Sequence, residues 1–345
     1  MDTTSFFTRS AASLPNGIVE FSGASANINL PGGYYLDGVP WVLSAGVNIT
    51  GDYFEVGSTG ELHHTDGLAV VNTKGFANSG TLTVAPDLSF GGPLLHVHGD
   101  MDNYGQINLD NAVISSTGTE TATLEVFGGT LFNYGTISSL DTELSGGTRV
   151  LMGNVDNYGT IDVQYSLTID PDGGKFYNAD FATITVGGGQ TLTFGGINGG
   201  EVFNYGTIDA TAGTNDTLDA STVYFQNEGA IQGFLNVFGL DQNNGVLSPG
   251  SSPGVMNIHG DYNDTVGSTL EIELEGYQPG TGYDQVIVHG SANINGRLNV
   301  TLLNGFTPAL ASGFAILLAD SLTWSFAQAI GLDISTSQVL DLSYV

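Results

Sequence analysis

One short motif, N-x-G-x-[IVL], returns along the chain and restricts its fold more than any other feature. Copies stand at Asn78-Ser-Gly-Thr-Leu82, Asn103-Tyr-Gly-Gln-Ile107, Asn133-Tyr-Gly-Thr-Ile137 and Asn157-Tyr-Gly-Thr-Ile161. Three more follow at Asn204-Tyr-Gly-Thr-Ile208, Asn227-Glu-Gly-Ala-Ile231 and Asn243-Asn-Gly-Val-Leu247. Ser58-Thr-Gly-Glu-Leu62 is a degenerate early copy, and Asn178-Ala-Asp-Phe-Ala-Thr-Ile184 reads as a copy with an insertion. The Asn-to-Asn spacings from 78 to 243 are 25, 30, 24, 21, 26, 23 and 16. Internal periods of this size mean a repeat architecture. The period is too short for a propeller blade, and no L-x-x-L-x-L frame of a leucine-rich repeat is present.

A longer template, apolar-x-apolar-x-Gly-x-apolar-x-Asn, precedes the motif, as in Leu95-His-Val-His-Gly99-Asp-Met-Asp-Asn103. One coil is then a strand, a glycine bend, a short second strand, an Asn turn and a third strand. Such strands are too short to bury a face alone, so neighbouring coils must stack. Parallel stacking places equivalent residues about 4.8 Å apart and turns the Leu, Ile and Val positions into interior ladders. Asn78, Asn103, Asn133, Asn157, Asn204, Asn227 and Asn243 are expected to form a second, polar ladder. Asn tolerates left-handed backbone and bonds its local chain, and stacked amides bond along the axis. Glycine two residues later is expected to supply unusual φ/ψ. The fold expected is all-β, a right-handed parallel β-helix of about 24 residues per coil with a C-terminal β-structured cap.

Three regions follow: residues 1–50, without the repeat, as an N-terminal cap or edge segment; 51–247 as the repeats; and 248–345 as a C-terminal β cap or sandwich. The second boundary falls on the Pro-, Gly- and Ser-rich stretch 248–254, and terminal repeats are commonly atypical.

Charge narrows the function. Thirty-five acids face five bases (Arg9, Lys74, Arg149, Lys175 and Arg297), a formal −30. DNA, RNA and anionic membranes need Lys/Arg clusters and are excluded as partners. The same charge attracts divalent cations, so calcium is a candidate ligand although no cofactor is required. Zero cysteines excludes disulfides and thiolate chemistry. No apolar stretch reaches the 18–20 residues of a transmembrane helix. Met1-Asp-Thr-Thr-Ser5 has no basic or apolar signal region, so no export signal is visible, and we expect Met1 to stand where a leader was removed.

The Asn-Tyr-Gly-Thr-Ile repeats, with Leu247-Ser-Pro-Gly-Ser-Ser-Pro-Gly-Val255 after them, resemble autotransporter passenger domains. They are also similar to the β-strand-repeat surface proteins that carry PEP-CTERM sorting signals. The likeness continues through Gly267-Ser-Thr-Leu-Glu-Ile-Glu-Leu274, Tyr283-Asp-Gln-Val-Ile-Val288 and Leu303-Asn-Gly-Phe306. It implies an extracellular or cell-surface β-helix that is adhesive or matrix-forming. That family's pattern also includes a membrane barrel or a C-terminal anchor helix, and neither is expected within these residues.

Candidate sites are few. His96, His98, Asp100 and Asp102 alternate along one segment and would share a strand face, offering imidazoles and carboxylates to a zinc-like ion. Against this, the His-Gly slot recurs at His259-Gly260 and His289-Gly290, and Gly99 is placed to bend the strand. Asp170-Pro-Asp172 and Asp261-Tyr-Asn-Asp264 carry calcium-type ligands on turns but read as solvated turns. Tyr104, Tyr134, Tyr158 and Tyr205 fill the variable site of the motif, where Glu228 and Asn244 are also accepted. That site should be exposed, making an aromatic row able to meet sugar rings or another chain. Thr-x-Thr pairs skip coils and read as ordinary strand residues. No catalytic motif is legible. The expectation is a non-enzymatic structural or adhesive solenoid that self-associates or meets a surface glycan, possible as a filament or matrix subunit. The alternatives are a carbohydrate-active β-helix enzyme, which needs two converging acids, and a calcium- or glycan-binding module.

Overall fold

The computed structural model describes residues 18–21, 26–86, 92–110, 120–142, 147–211, 215–250 and 252–344. Phe6, Phe7 and Arg9 lie outside the described residues. The chain divides into two units, Met1–Phe176 and Tyr177–Val345. Each is a parallel β-helix.

In the first unit, one sheet holds Val19–Phe21, Trp41–Leu43, Glu61–His64, Thr81–Val84, Gln106–Leu109, Thr136–Ser139 and Thr160–Val163, the last four of which follow the Asn turns. All pair in parallel, each with the strand one coil away. The remaining two sides of the coil meet at the glycine bend. Leu94–His98 and Met101–Asn103 flank it in one coil, whereas Thr121–Asn133 and Thr148–Asn157 run through it in the next two. Gly99, with φ of 82°, supplies the left-handed turn that an L residue resists. The second unit repeats the plan from Thr183–Val186 through Thr207–Asp209, Ala230–Gln232, Val246–Ser248, Thr269–Leu274 and Arg297–Leu302 to Gln328–Ile330.

Alternation fills the core. Leu62, Leu82, Ile107, Ile137 and Ile161 stand in register and fully buried. Ile184, Ile208, Ile231, Leu247, Leu270 and Leu298 do the same in the second unit. Burying each such side chain stabilises by roughly 1.5–3 kcal/mol.

The Asn positions form the expected buried ladders. Asn78 Nδ2 donates to Asn103 Oδ1 at 2.8 Å, Asn103 to Asn133 at 2.6 Å, and Asn133 to Asn157 at 2.7 Å. In the second unit Asn178 donates to Asn204, Asn204 to Asn227 and Asn227 to Asn243, at 2.8, 2.7 and 2.8 Å. Asn178, the copy with the insertion, is thus a full member. Asn243 ends its run by donating to the buried Tyr262 Oη at 3.1 Å. The free amide proton goes to a backbone carbonyl, as from Asn133 to Thr160 O at 3.1 Å.

The reason for the motif's glycine differs from the one expected. Gly105, Gly135 and Gly159 are not in the left-handed region. They are glycine because a Cβ on Gly135 would lie 2.1 Å from the carbonyl oxygen of Gly105, and one on Gly159 2.2 Å from that of Gly135. The close approach comes from the turn's own hydrogen bonds: Tyr134 N and Gly135 N both donate to Asn103 O, at 2.8 and 2.9 Å. Nor are the ladder asparagines left-handed; they are there for their amides.

The described strands of both regions set apart by sequence continue the same parallel pairing as far as Ile330. Asn27–Leu30 pairs in parallel with Asn48–Gly51, and Tyr34–Leu36 with Phe54–Val56. Past residue 254, Val255–His259 and Gln285–Ile294 keep the register. They lack the Asn motif but keep the inward alternation, which is all that stacking needs. An antiparallel pair, Asp333–Ser335 with Gln338–Val339, follows the last coil and lines a cavity of about 900 Å³ with Leu298, Val300 and Phe314.

Replacing Asn133 with Leu strands the amide of Asn103 and the acyl oxygen of Asn157, at about 1–3 kcal/mol for each buried group left unpaired. Asn78→Leu should cost less, because Asn78 accepts nothing on its outer side, where the preceding coil presents Val56. Urea unfolding of both variants measures the difference; equal and negligible losses would remove the ladder from the account of stability.

Candidate functional site

The outward face of the Asn turn carries the most regular surface feature. Tyr104, Tyr134 and Tyr158 stack with centroids 5.2 Å apart at each step and planes within 9° and 12° of parallel. They are 57%, 47% and 45% exposed. The coil repeat dictates this spacing, since one ring per turn leaves each ring over the last. Beside them runs the outward row Asp102, Phe132 and Asp156, in register on the strands that lead into the turn. Burial pushes the Asp102 carboxyl up, with the charge of Asp100 adding to it, and burial does the same to Asp156. The Tyr104 phenol is raised first by the Asp102 charge. Two coils earlier, Tyr53 donates to Glu55 at 3.0 Å, and burial with that bond lifts its phenol to about 12.

Stacking covers the ring faces, so the row presents ring edges and phenol hydroxyls, with two carboxyls alongside. In the second unit Tyr205 is exposed and sits 5.2 Å from Tyr177, tilted by 41°. The motif sites after it hold Glu228 and Asn244, joined by a hydrogen bond.

The four residues of the His96 segment do not converge. Gly99 turns the chain, Asp100 accepts from Thr130 N at 2.9 Å, and Asp102 belongs to the tyrosine row. Among the described residues no group of three or more His, Asp or Glu could hold a metal ion. The turn acids also have local work: Asp170 accepts from Asp172 N at 2.8 Å, and Asp261 from Ser291 N at 2.8 Å.

No family model, curated protein or solved structure matches the chain.

Two carboxyls stand well above the ordinary range, and both are enclosed. Burial lifts Asp264 to about 6, where it accepts from Gly296 N at 3.1 Å and lies beside Tyr262 and Ser268. Burial lifts Asp284 to about 7, and its oxygens accept from Gly254 N at 2.6 Å and Glu273 N at 2.7 Å. Both pin backbone N–H groups. Asp264, read from the sequence as part of a solvated turn, is instead buried, and nothing in the sequence neighbours of either acid predicts that burial. Arg149 is the other surprise. It is fully buried, donates to Leu140 O at 2.7 Å and Gly147 O at 3.1 Å, pairs with Asp141 at 3.3 Å, and lies 4.1 Å from the Tyr165 ring centre. One of the five bases is therefore unavailable to an anionic ligand.

The surface charge is also ordered. Within either unit, no paired strand register places an acid opposite an acid among the described residues. Glu125 faces His96 and Met152, Asp162 faces Ser138, Asp209 faces Thr185 and Gln232, and Glu271 faces Asn299. Like charges directly opposite are destabilising, and interleaving avoids them.

Asp284 sets a pH dependence. Its folded value of about 7 exceeds the unfolded value near 3.9, so the native state binds more protons between those limits. Its contribution is complete below about pH 4 and is lost as pH rises through about 7. His64 and His259, whose charged forms burial disfavours, act in the opposite sense below about pH 6.5. The comparison with Asp284→Asn isolates the carboxyl: the stability difference, wild type minus variant, should shrink as urea midpoints are taken from pH 4.5 to pH 7.5. A difference that stays constant would mean Asp284 keeps one charge state throughout.

Proposed function

We propose that this chain is a non-enzymatic, extracellular structural or adhesive β-solenoid that meets a hydroxyl-rich polymer along the Tyr104–Tyr134–Tyr158 row. The observation that carries the reading is the row itself: exposed phenols repeated at the coil spacing, with Asp102 and Asp156 beside them. A one-dimensional array of identical donors and acceptors suits a partner that also repeats, such as an extended neutral polysaccharide or a second solenoid. Single ligands gain little from it, whereas a polymer gains by engaging several sites at once. The formal charge of −30 keeps the surface away from anionic glycans and fits a hydroxyl-rich partner better. The enclosure of Asp264 and Asp284 supports a structural role for the two most perturbed carboxyls.

Retention on insoluble β-glucan and xylan should exceed that on pectin or alginate. The triple variant Tyr104→Ala, Tyr134→Ala, Tyr158→Ala should lose retention at least tenfold while keeping its β-rich circular dichroism. Retention unaffected by the triple change would discard the tyrosine row. Reproducible release of soluble sugar, abolished by one Asp or Glu substitution, would replace the adhesive reading with an enzymatic one.

A further inference from the structure

A second surface, independent of the tyrosine row, carries an unexplained buried nitrogen. On the strand Leu94–His98, Leu95 and Val97 point inward, while His96 and His98 point outward. Their rings lie 4.5 Å apart at 44°. The next coil sets Glu125 opposite His96 and Phe127 opposite His98. Glu125 Oε2 stands 2.9 Å from His96 Nδ1, so the Nδ1–H donates to the carboxylate and holds the ring in one orientation. That leaves the lone pair of neutral His96 on Nε2. This atom is buried and finds no hydrogen-bond partner among the described residues. Buried nitrogens rarely go unsatisfied, and an absent ion or water is a usual reason.

We propose that His96 and His98 form a two-histidine site for a borderline transition-metal ion, copper(II) foremost, with Glu125 as the positioning residue. Three features converge on it. Alternate residues of a strand have Cα atoms about 6.8 Å apart and side chains on the same face, which lets two imidazoles reach one ion. A carboxylate on the far nitrogen is the usual outer-shell partner of a ligating histidine; it fixes the tautomer and raises the ring's basicity. Phe127, with its ring centre 5.3 Å from His96 and 5.6 Å from His98, walls one side with an apolar ring. Two nitrogens from the protein leave the remaining positions to water. Copper(II) suits that arrangement, since it accepts tetragonal nitrogen and oxygen ligation and heads the divalent affinity order. Calcium and magnesium prefer all-oxygen sites and are not candidates here.

The other outward histidine pair is a built-in control. His259 and His289 also stack, 4.8 Å apart at 16°, but on different coils. Their Nε2 atoms face Asn236 Oδ1 at 3.1 Å and Asn257 Oδ1 at 3.3 Å. Among the described residues no carboxylate orients either ring in the way Glu125 orients His96.

The test is copper(II) chloride titrated into the full chain, with millimolar calcium present to occupy exposed carboxylates, and read by calorimetry and electron paramagnetic resonance. One saturable site per chain with nitrogen hyperfine structure is expected. His96→Ala and His98→Ala should each weaken it at least tenfold, Glu125→Gln by about 10–100-fold, and His259→Ala not at all. Circular dichroism identifies any variant that fails to fold, and for such a variant the hyperfine pattern of the wild-type chain, compared with His98→Ala, decides. Absence of saturable binding, an oxygen-only spectrum, or binding that survives loss of both His96 and His98 would overturn the site.

Discussion

Parallel in-register pairing between coils is the constraint from which the rest of this structure follows. Along the strands backbone N–H groups bond to carbonyls one coil away, so a strand residue's nearest neighbour is its own equivalent about 4.8 Å along the axis. A position is therefore tolerable only if its side chain can sit on a copy of itself. Aliphatic chains satisfy this by packing, and amides by donating with one end and accepting with the other. Aromatic rings satisfy it by stacking. A carboxylate does not, which is why acids in this very acidic chain alternate with neutral or basic residues along the outward rows.

That single condition explains what was legible in the sequence. The Asn, the Ile or Leu two residues after the glycine, and the alternating apolar positions all repeat because each is stacked on its like, so the architecture and the amide ladder could be read directly. The tyrosine row was legible for the same reason: a site accepting Tyr, Glu and Asn had to face water. What repetition does not encode was lost. The glycine of the motif could not reveal whether it served dihedral freedom or close approach, because both leave only a glycine in the sequence. Asp264, Asp284 and the buried Arg149 each occur once, and a singular residue leaves no periodic trace. Residues 1–50 and 248–345 were set apart because the repeat was missing there or changed its period. Their described parallel strands stack nonetheless, since inward alternation is sufficient.

The pairing that decides the His96 surface was hidden for a related reason. Sequence places His96, His98, Asp100 and Asp102 on one alternating run, but Gly99 ends the shared face, and the carboxylate that His96 meets comes from Glu125, one coil later. In a solenoid the relevant neighbour is a full period away, and a window read along the chain misses it.

The amide ladder also has a direction. From Asn78 to Asn157 every side chain gives its proton the same way along the axis, so the row opens at Asn78 on an acyl oxygen that accepts nothing. The number of unsatisfied groups depends on the two ends and not on how many rungs lie between them. Coils whose Asn-to-Asn spacing ranges from 16 to 30 residues join these ladders without interrupting them. Gene duplication of one whole coil would accordingly lengthen the molecule by one rung and expose no new polar atom. A chain of this kind is free to evolve in length by whole turns, each new turn templated by the one beneath it.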